Sequence, residues 1–389
     1  MPAGTNILLL YTDQLRADAL QCSGNPLVST PHLDRLAQQG ILFENAFANN
    51  PVCMPSRMSL FSGQYPSSLG ITCNGIPLPQ NVPILSGILQ RAGYQTANIG
   101  KLHFQNHSNR DHSAPHPRYG FDTLLMSDEP GCYEDAYLAW VRSRDPDAVD
   151  LCRCDTPPAW TGLPVRVHRR DRYVPYIFNG PEDMTHSAFV AAETCQFLQS
   201  ATSPFFCVAG FYAPHEPLNP PRRFVEMYDA DDMPLPNVAP EDSHPDYTNP
   251  EWRQIRAYYY ALISHVDDCI GKILVTLKQQ NLDQNTIVIF TSDHGEYLGD
   301  HGRVQKGAPG YDVCIHVPLI ISDPQIHCRG IQSASLVETV DISISILELV
   351  GIQSPPTFQG RSFAPLLRGG KYQERADVLM EYQEPFRCN

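Results

Sequence analysis

Two apolar runs, each ending in an aspartate, constrain this chain more than any other feature. Asn6-Ile7-Leu8-Leu9-Leu10-Tyr11-Thr12 leads to Asp13, and Asn285-Thr286-Ile287-Val288-Ile289-Phe290-Thr291-Ser292 leads to Asp293. A strand with one wet face alternates apolar and polar residues, whereas a continuous apolar run suits burial on both faces. Such strands lie at the centre of a largely parallel sheet covered by helices, which sets an α/β architecture. Open α/β sheets bind ligands beyond the carboxyl ends of their strands. Asp13 and Asp293 are therefore expected at adjacent strand ends, close enough to share one divalent cation.

Asn50-Pro51-Val52-Cys53-Met54-Pro55-Ser56-Arg57 lies between these runs. Pro55 pre-sets a helical φ and Gly63 is a plausible stop. This places Cys53 just ahead of a helix N-terminus, where free N–H groups and the helix dipole favour an anion. Arg57, about one turn in, can turn back toward it. Cys53, Pro55, Ser56 and Arg57 fit the Cys-x-Pro-Ser-Arg signature, and here the chain resembles the sulfatases. That resemblance implies an alkaline-phosphatase-like α/β sandwich and conversion of Cys53 to formylglycine by a maturation enzyme. The hydrated aldehyde then supplies the nucleophile.

Four further segments extend the resemblance in family order, over residues 6 to about 365. In Gly100-Lys101-Leu102-His103, Lys101 and His103 alternate, and in extended chain they would share one face. Pro214-His215-Glu216-Pro217 holds a histidine between prolines just past a strand. Ser292-Asp293-His294-Gly295 closes the second apolar run, and Gly302 to Gly307 carries Lys306. The resemblance implies a metal site of Asp13, Gln14, Cys53, Asp293 and His294. Calcium is expected there, with manganese or magnesium left open by the imidazole. It implies sulfate contacts from Lys101, His215 and Lys306, with Arg57 completing the positive pocket. His215 or Lys306 protonates the leaving oxygen, and His103 takes the second proton.

Gln14 departs from the Asp-Asp of many sulfatases. An Asp-Gln pair also resembles phosphonate and phosphate diester hydrolases of the same superfamily. The expected reaction is hydrolysis of an aryl, choline or saccharide sulfate monoester. Hydrolysis of a phosphonate or phosphate ester, or anion binding without catalysis, are the alternatives.

A net charge of −14 argues against nucleic acid or an anionic membrane as partner. An acidic protein that binds an anion must then gather its cations locally. The 12 scattered cysteines read as buried thiols of a reducing compartment. Cys152-Arg153-Cys154 with His168 matches no zinc spacing. No run reaches membrane-helix length, and the N-terminus lacks signal-peptide character. The expected location is the cytoplasm, or the periplasm or exterior if a leader has been removed.

Residues 1–365 read as the catalytic domain. Within it, 105–180 form an irregular excursion expected to carry specificity, with Arg166, His168, Arg169, Arg170 and Arg172 as a basic cluster. Residues 366–389 read as the start of a C-terminal subdomain that is otherwise largely absent. Trp252 to Gln280 has helical periodicity, and Tyr258-Tyr259-Tyr260 within it reads as packing.

Overall fold

A computed structural model describes residues 4–106, 114–153, 173–202, 204–242, 247–326 and 329–383. The basic cluster at 166–172, Cys154 and His168 lie outside the described residues.

Eight strands follow in chain order: β1 Asn6–Asp13, β2 Ile41–Phe47, β3 Gln95–Gly100, β4 Thr123–Met126, β5 Phe205–Pro214, β6 Thr286–Ser292, β7 Leu319–Ser322 and β8 Ile331–Glu338. They form one sheet in the order β4-β3-β5-β1-β6-β7-β2-β8. All pairings are parallel except those of β7, which runs antiparallel to β6 and β2. The two apolar runs are indeed neighbours at the centre, paired from Asn6–Thr286 to Thr12–Ser292. Asp13 and Asp293 thus emerge together at one end of the sheet.

β1 explains why its run is unbroken. Leu8 and Leu10 enter a core packed by helices His186–Ser200 and Asn249–Gln279, and Ile7, Leu9 and Tyr11 enter a second core on the other face. The second core takes helices Cys53–Ser62, Leu85–Arg91 and Val340–Leu349. Each such buried side chain stabilises by about 1.5–3 kcal/mol relative to exposure.

The helix of the Tyr triplet begins at Asn249, ahead of the periodic residues. Glu251 accepts a hydrogen bond from the Thr248 amide at 2.7 Å, closing a capping box that hydrophobic spacing does not register. The excursion after residue 105 is less irregular than its composition suggests. It contributes edge strand β4 and helix Ala136–Arg144, whose Asp135 cap accepts from the Leu138 amide. Arg375 enters a buried acidic pair, with Nη1 2.6 Å from Glu338 and Nε 3.0 Å from Asp341. Glu381 continues this return path and donates its amide to Asn49, four residues before Cys53.

Candidate active site

Cys53 is the first residue of its helix rather than the residue before it, with Val52 as the extended cap. All ten residues of Cys53–Ser62 are buried. The helix stops at Gly63, where φ is +61° and a Cβ would meet the Phe358 ring at 2.4 Å, so only glycine fits. This holds the buried N-terminal end of the helix against the carboxyl ends of β1 and β6.

One ligand atom from each of Asp13, Cys53, Asp293 and His294 lies within 4.8 Å of the others. Cys53 Sγ is 3.2 Å from His294 Nε2. His294 Nδ1 is 2.8 Å from the Gly295 carbonyl, so it carries the ring proton and donates there. That tautomer leaves the Nε2 lone pair facing both carboxylates at 3.7 Å. Imidazoles that ligate metals are held this way. Two carboxylates, a neutral imidazole and an amide oxygen form a donor set that fits a divalent cation.

The cations are arranged around this cluster. Arg57 is fully buried and engages the acids, with Nε 2.7 Å from Asp293 and Nη2 3.1 Å from Asp13. Its guanidinium also covers the Tyr11 ring at 4.6 Å. Arg57 therefore aligns the carboxylates, where the sequence reading had it facing the anion. Lys101 Nζ lies 2.7 Å from Asp13 and over the Tyr212 ring at 4.5 Å. Lys306 Nζ reaches Cys53 Sγ at 3.1 Å, the Gln14 amide oxygen at 2.8 Å and His215 Nε2 at 2.6 Å.

Burial and the Cys53 charge push the Asp13 carboxyl up, but the surrounding cations, Lys101 first, outweigh both and hold Asp13 ionised. Burial keeps Asp293 raised despite Arg57. Burial would also raise the Cys53 thiol, yet the charges of Lys306 and Lys101 draw it well below the ordinary thiol range. Burial disfavours the Lys306 ammonium, and the charges of Cys53, Asp13 and Glu216 overcome this and raise it.

Lys101 and His103 do reach the site, but not by strand alternation. β3 ends at Gly100, and His103 has a left-handed φ of +59°. Asp128 turns the chain there, accepting the Leu102 and His103 amides at 2.9 and 2.8 Å. His103 then hydrogen-bonds the Cys53 side chain. All ten candidate residues thus belong to one connected constellation.

Several partners were not among them. Tyr259 donates to the Gln14 carbonyl at 2.7 Å, so the middle residue of the triplet supports the site as well as packing. Glu216 and Glu296 both accept from the Gln14 amide nitrogen. Each adjoins a motif histidine or glycine, the one local signal that could have drawn attention to it. Cys152 instead donates to the Met184 carbonyl, outside this constellation.

A sheet ending in paired aspartates, a buried cysteine at a helix start and two lysines beside it define a hydrolase for tetrahedral oxyanion esters. A family model described as Sulfatase matches residues 5–352, and the chain belongs to the sulfatase family. It is 29% identical to an arylsulfatase of Clostridium perfringens, over 97% of this chain and 80% of that protein. It is likewise 29% identical to human (Homo sapiens) iduronate 2-sulfatase, over 94% of this chain and 72% of that protein. A phosphonate monoester hydrolase of Agrobacterium radiobacter superposes with a TM-score of 0.82 at 28% identity, covering 99% of this chain and 81% of that one. The fold is alkaline-phosphatase-like, and the chain is a sulfuric ester hydrolase of that superfamily.

Proposed function

We propose that the chain hydrolyses a sulfate monoester of an aryl, choline or saccharide alcohol, with residue 53 as nucleophile after conversion to formylglycine. The observation that carries this reading is the meeting of Lys306 with Cys53, Gln14 and His215 within 3.1 Å. Lys101 and Lys306 take the non-bridging oxygens of the ester and balance their charge. A hydroxyl of the hydrated aldehyde at residue 53 attacks sulfur, and the bond from sulfur to the alcohol oxygen breaks. His215 or Lys306 delivers a proton to that oxygen. His103 then takes the proton of the second hydroxyl, the aldehyde re-forms, and sulfate departs with the electrons of the carbon–oxygen bond. Water addition restores the diol.

Asp13, Gln14, Asp293 and His294 would hold a divalent ion, for which calcium is the first choice and manganese or magnesium the alternatives. When bound, that ion supplies positive charge to the ester oxygens and favours ionisation of the attacking hydroxyl. Cys53 is 2% exposed in the folded chain, so its maturation enzyme must reach it before folding is complete. The described cysteines are free thiols, which supports a cytoplasmic setting. Among the described residues, no helix is long and apolar enough to cross a membrane.

A second reading, phosphonate or phosphate ester hydrolysis, is favoured by Gln14 and by the likeness to the Agrobacterium hydrolase. The same nucleophile and cations would serve either anion. A panel of aryl, choline and saccharide sulfates beside aryl phosphonate monoesters separates the two. The sulfatase reading expects the highest kcat/KM on a sulfate ester. A phosphonate ester ahead of every sulfate would replace it.

A further inference from the structure

Gln14 is tied down at every polar atom. Its amide donates to Asp293 at 3.0 Å, its carbonyl accepts from Tyr259 at 2.7 Å, and its φ is +67°. Its side-chain nitrogen donates to Glu216 at 2.9 Å and also to Glu296. A primary amide has two N–H groups, and each finds a carboxylate. The oxygen at the other end faces the Lys306 ammonium at 2.8 Å. A flipped amide would aim N–H groups at a cation and its oxygen at two acids, so charge alone fixes the orientation.

Three donors converge on Glu296. It is 1% exposed, and it takes the Leu298 amide at 3.0 Å and the Tyr173 hydroxyl at 2.7 Å besides Gln14. Tyr173 is itself fixed by the Gln305 amide at 2.9 Å, next to Lys306. Glu216 reaches Gln14 from the other loop, its carboxylate 3.4 Å from His215 Nδ1. The carboxyl groups that an aspartate at position 14 would add thus stand behind the amide instead, on Glu216 and on Glu296.

We propose that Glu216 and Glu296 are positioning residues that lock the Gln14 amide oxygen-first toward the metal cluster. This rests on the reading of Gln14 as a metal ligand. Partners of this kind typically contribute roughly 10–100-fold in metal affinity. The alternative is that they act only through space, as negative charges near a cation.

The test is calorimetric titration of calcium or manganese into chelator-treated protein, with Glu296→Gln made alone and together with Gln14→Asp. An aspartate offers two equivalent oxygens and needs no lock, and its charge is repelled by Glu296. We expect Glu296→Gln to weaken metal binding roughly 10–100-fold beside Gln14. Beside Gln14→Asp it should leave binding unchanged or tighten it. Weakening by the same factor in both backgrounds means a through-space effect and overturns the proposal, as does no weakening beside Gln14. Glu216→Gln, on a less buried carboxylate, provides the same comparison if Glu296→Gln does not fold. Failure of the unsubstituted protein to bind either metal would instead remove the metal reading itself, and the proposal with it.

Discussion

Lys306 Nζ and His215 Nε2 stand 2.6 Å apart, a separation that requires one of the facing atoms to lack a proton. Burial lowers His215, but Glu216 outweighs it and raises the imidazole to about 9. Cys53, Asp13 and Glu216 raise Lys306, so the two groups compete for the proton between them. The pair therefore holds one mobile proton beside the nucleophile, where a leaving oxygen needs it. His215→Ala should slow alkyl sulfates far more than activated aryl sulfates, because a good leaving group needs little protonation. The loss on alkyl substrates should be about 10²–10⁴-fold. Steady-state kcat/KM on one aryl and one alkyl sulfate checks this. Equal losses on both would make His215 an anion contact.

Arg57 bridges two fully buried carboxylates, and its removal leaves Asp293 without its arginine while Asp13 keeps only Lys101. Arg57→Ala should destabilise the chelator-treated protein by about 3–5 kcal/mol. A divalent ion binds the folded form only, and should restore part of that loss. Thermal unfolding with chelator and with excess calcium measures both effects. A variant as stable as the parent in chelator would show that the acids do not depend on Arg57.

Arg375 supplies the cation for Glu338 and Asp341, both fully enclosed. Glu338 also accepts from Asn49 at 3.1 Å and Leu379 at 2.6 Å, which links the pair to the approach to Cys53. Arg375→Ala should cost about 3–5 kcal/mol in urea unfolding. Arg375→Lys should recover part of it, since a lysine restores the charge without the fork. A cost below about 1 kcal/mol, the range of a surface pair, would contradict this account.

His186 is buried among Tyr137, Phe189 and Tyr212. Burial, aided by the charge of Lys101, lowers its pKa to about 3. The unfolded chain binds this proton near pH 6.5 and the folded chain does not, so stability falls as pH drops through the window from 6.5 to about 3. Between pH 7.5 and 5 this group should remove about 2 kcal/mol. His186→Phe should flatten that part of the pH profile, as read by urea unfolding at both pH values. An unchanged slope would show that His186 is not the group responsible.

The central strands and the nucleophile were legible in the sequence because their signals are local. An unbroken apolar run reports two buried faces, and Cys53 carries its own motif. The partners of Arg57, Asp13 and Asp293, were not legible, because spacing along a helix gives reach but not the partner. Lys101 and His103 were found for the wrong geometric reason, since the turn that presents them is made by Asp128, some two dozen residues further on. Glu216 and Glu296 left no local sign beyond their place beside a motif residue, because each meets Gln14 across more than 200 residues of chain. Contacts between distant loops depend on the whole sheet, and no local window contains them.

The central claim is that residue 53 attacks sulfur and that the second hydroxyl of its diol is needed to release sulfate. Cys53→Ser keeps an oxygen at that position but has only one hydroxyl on its carbon, so a sulfated serine cannot collapse to an aldehyde. The most direct test is intact-mass measurement of the Cys53→Ser protein after incubation with an aryl sulfate. The account predicts one phenol released per protein and a mass gain of one SO₃, located at residue 53. Continued phenol release over many turnovers, with no SO₃ retained, would contradict it.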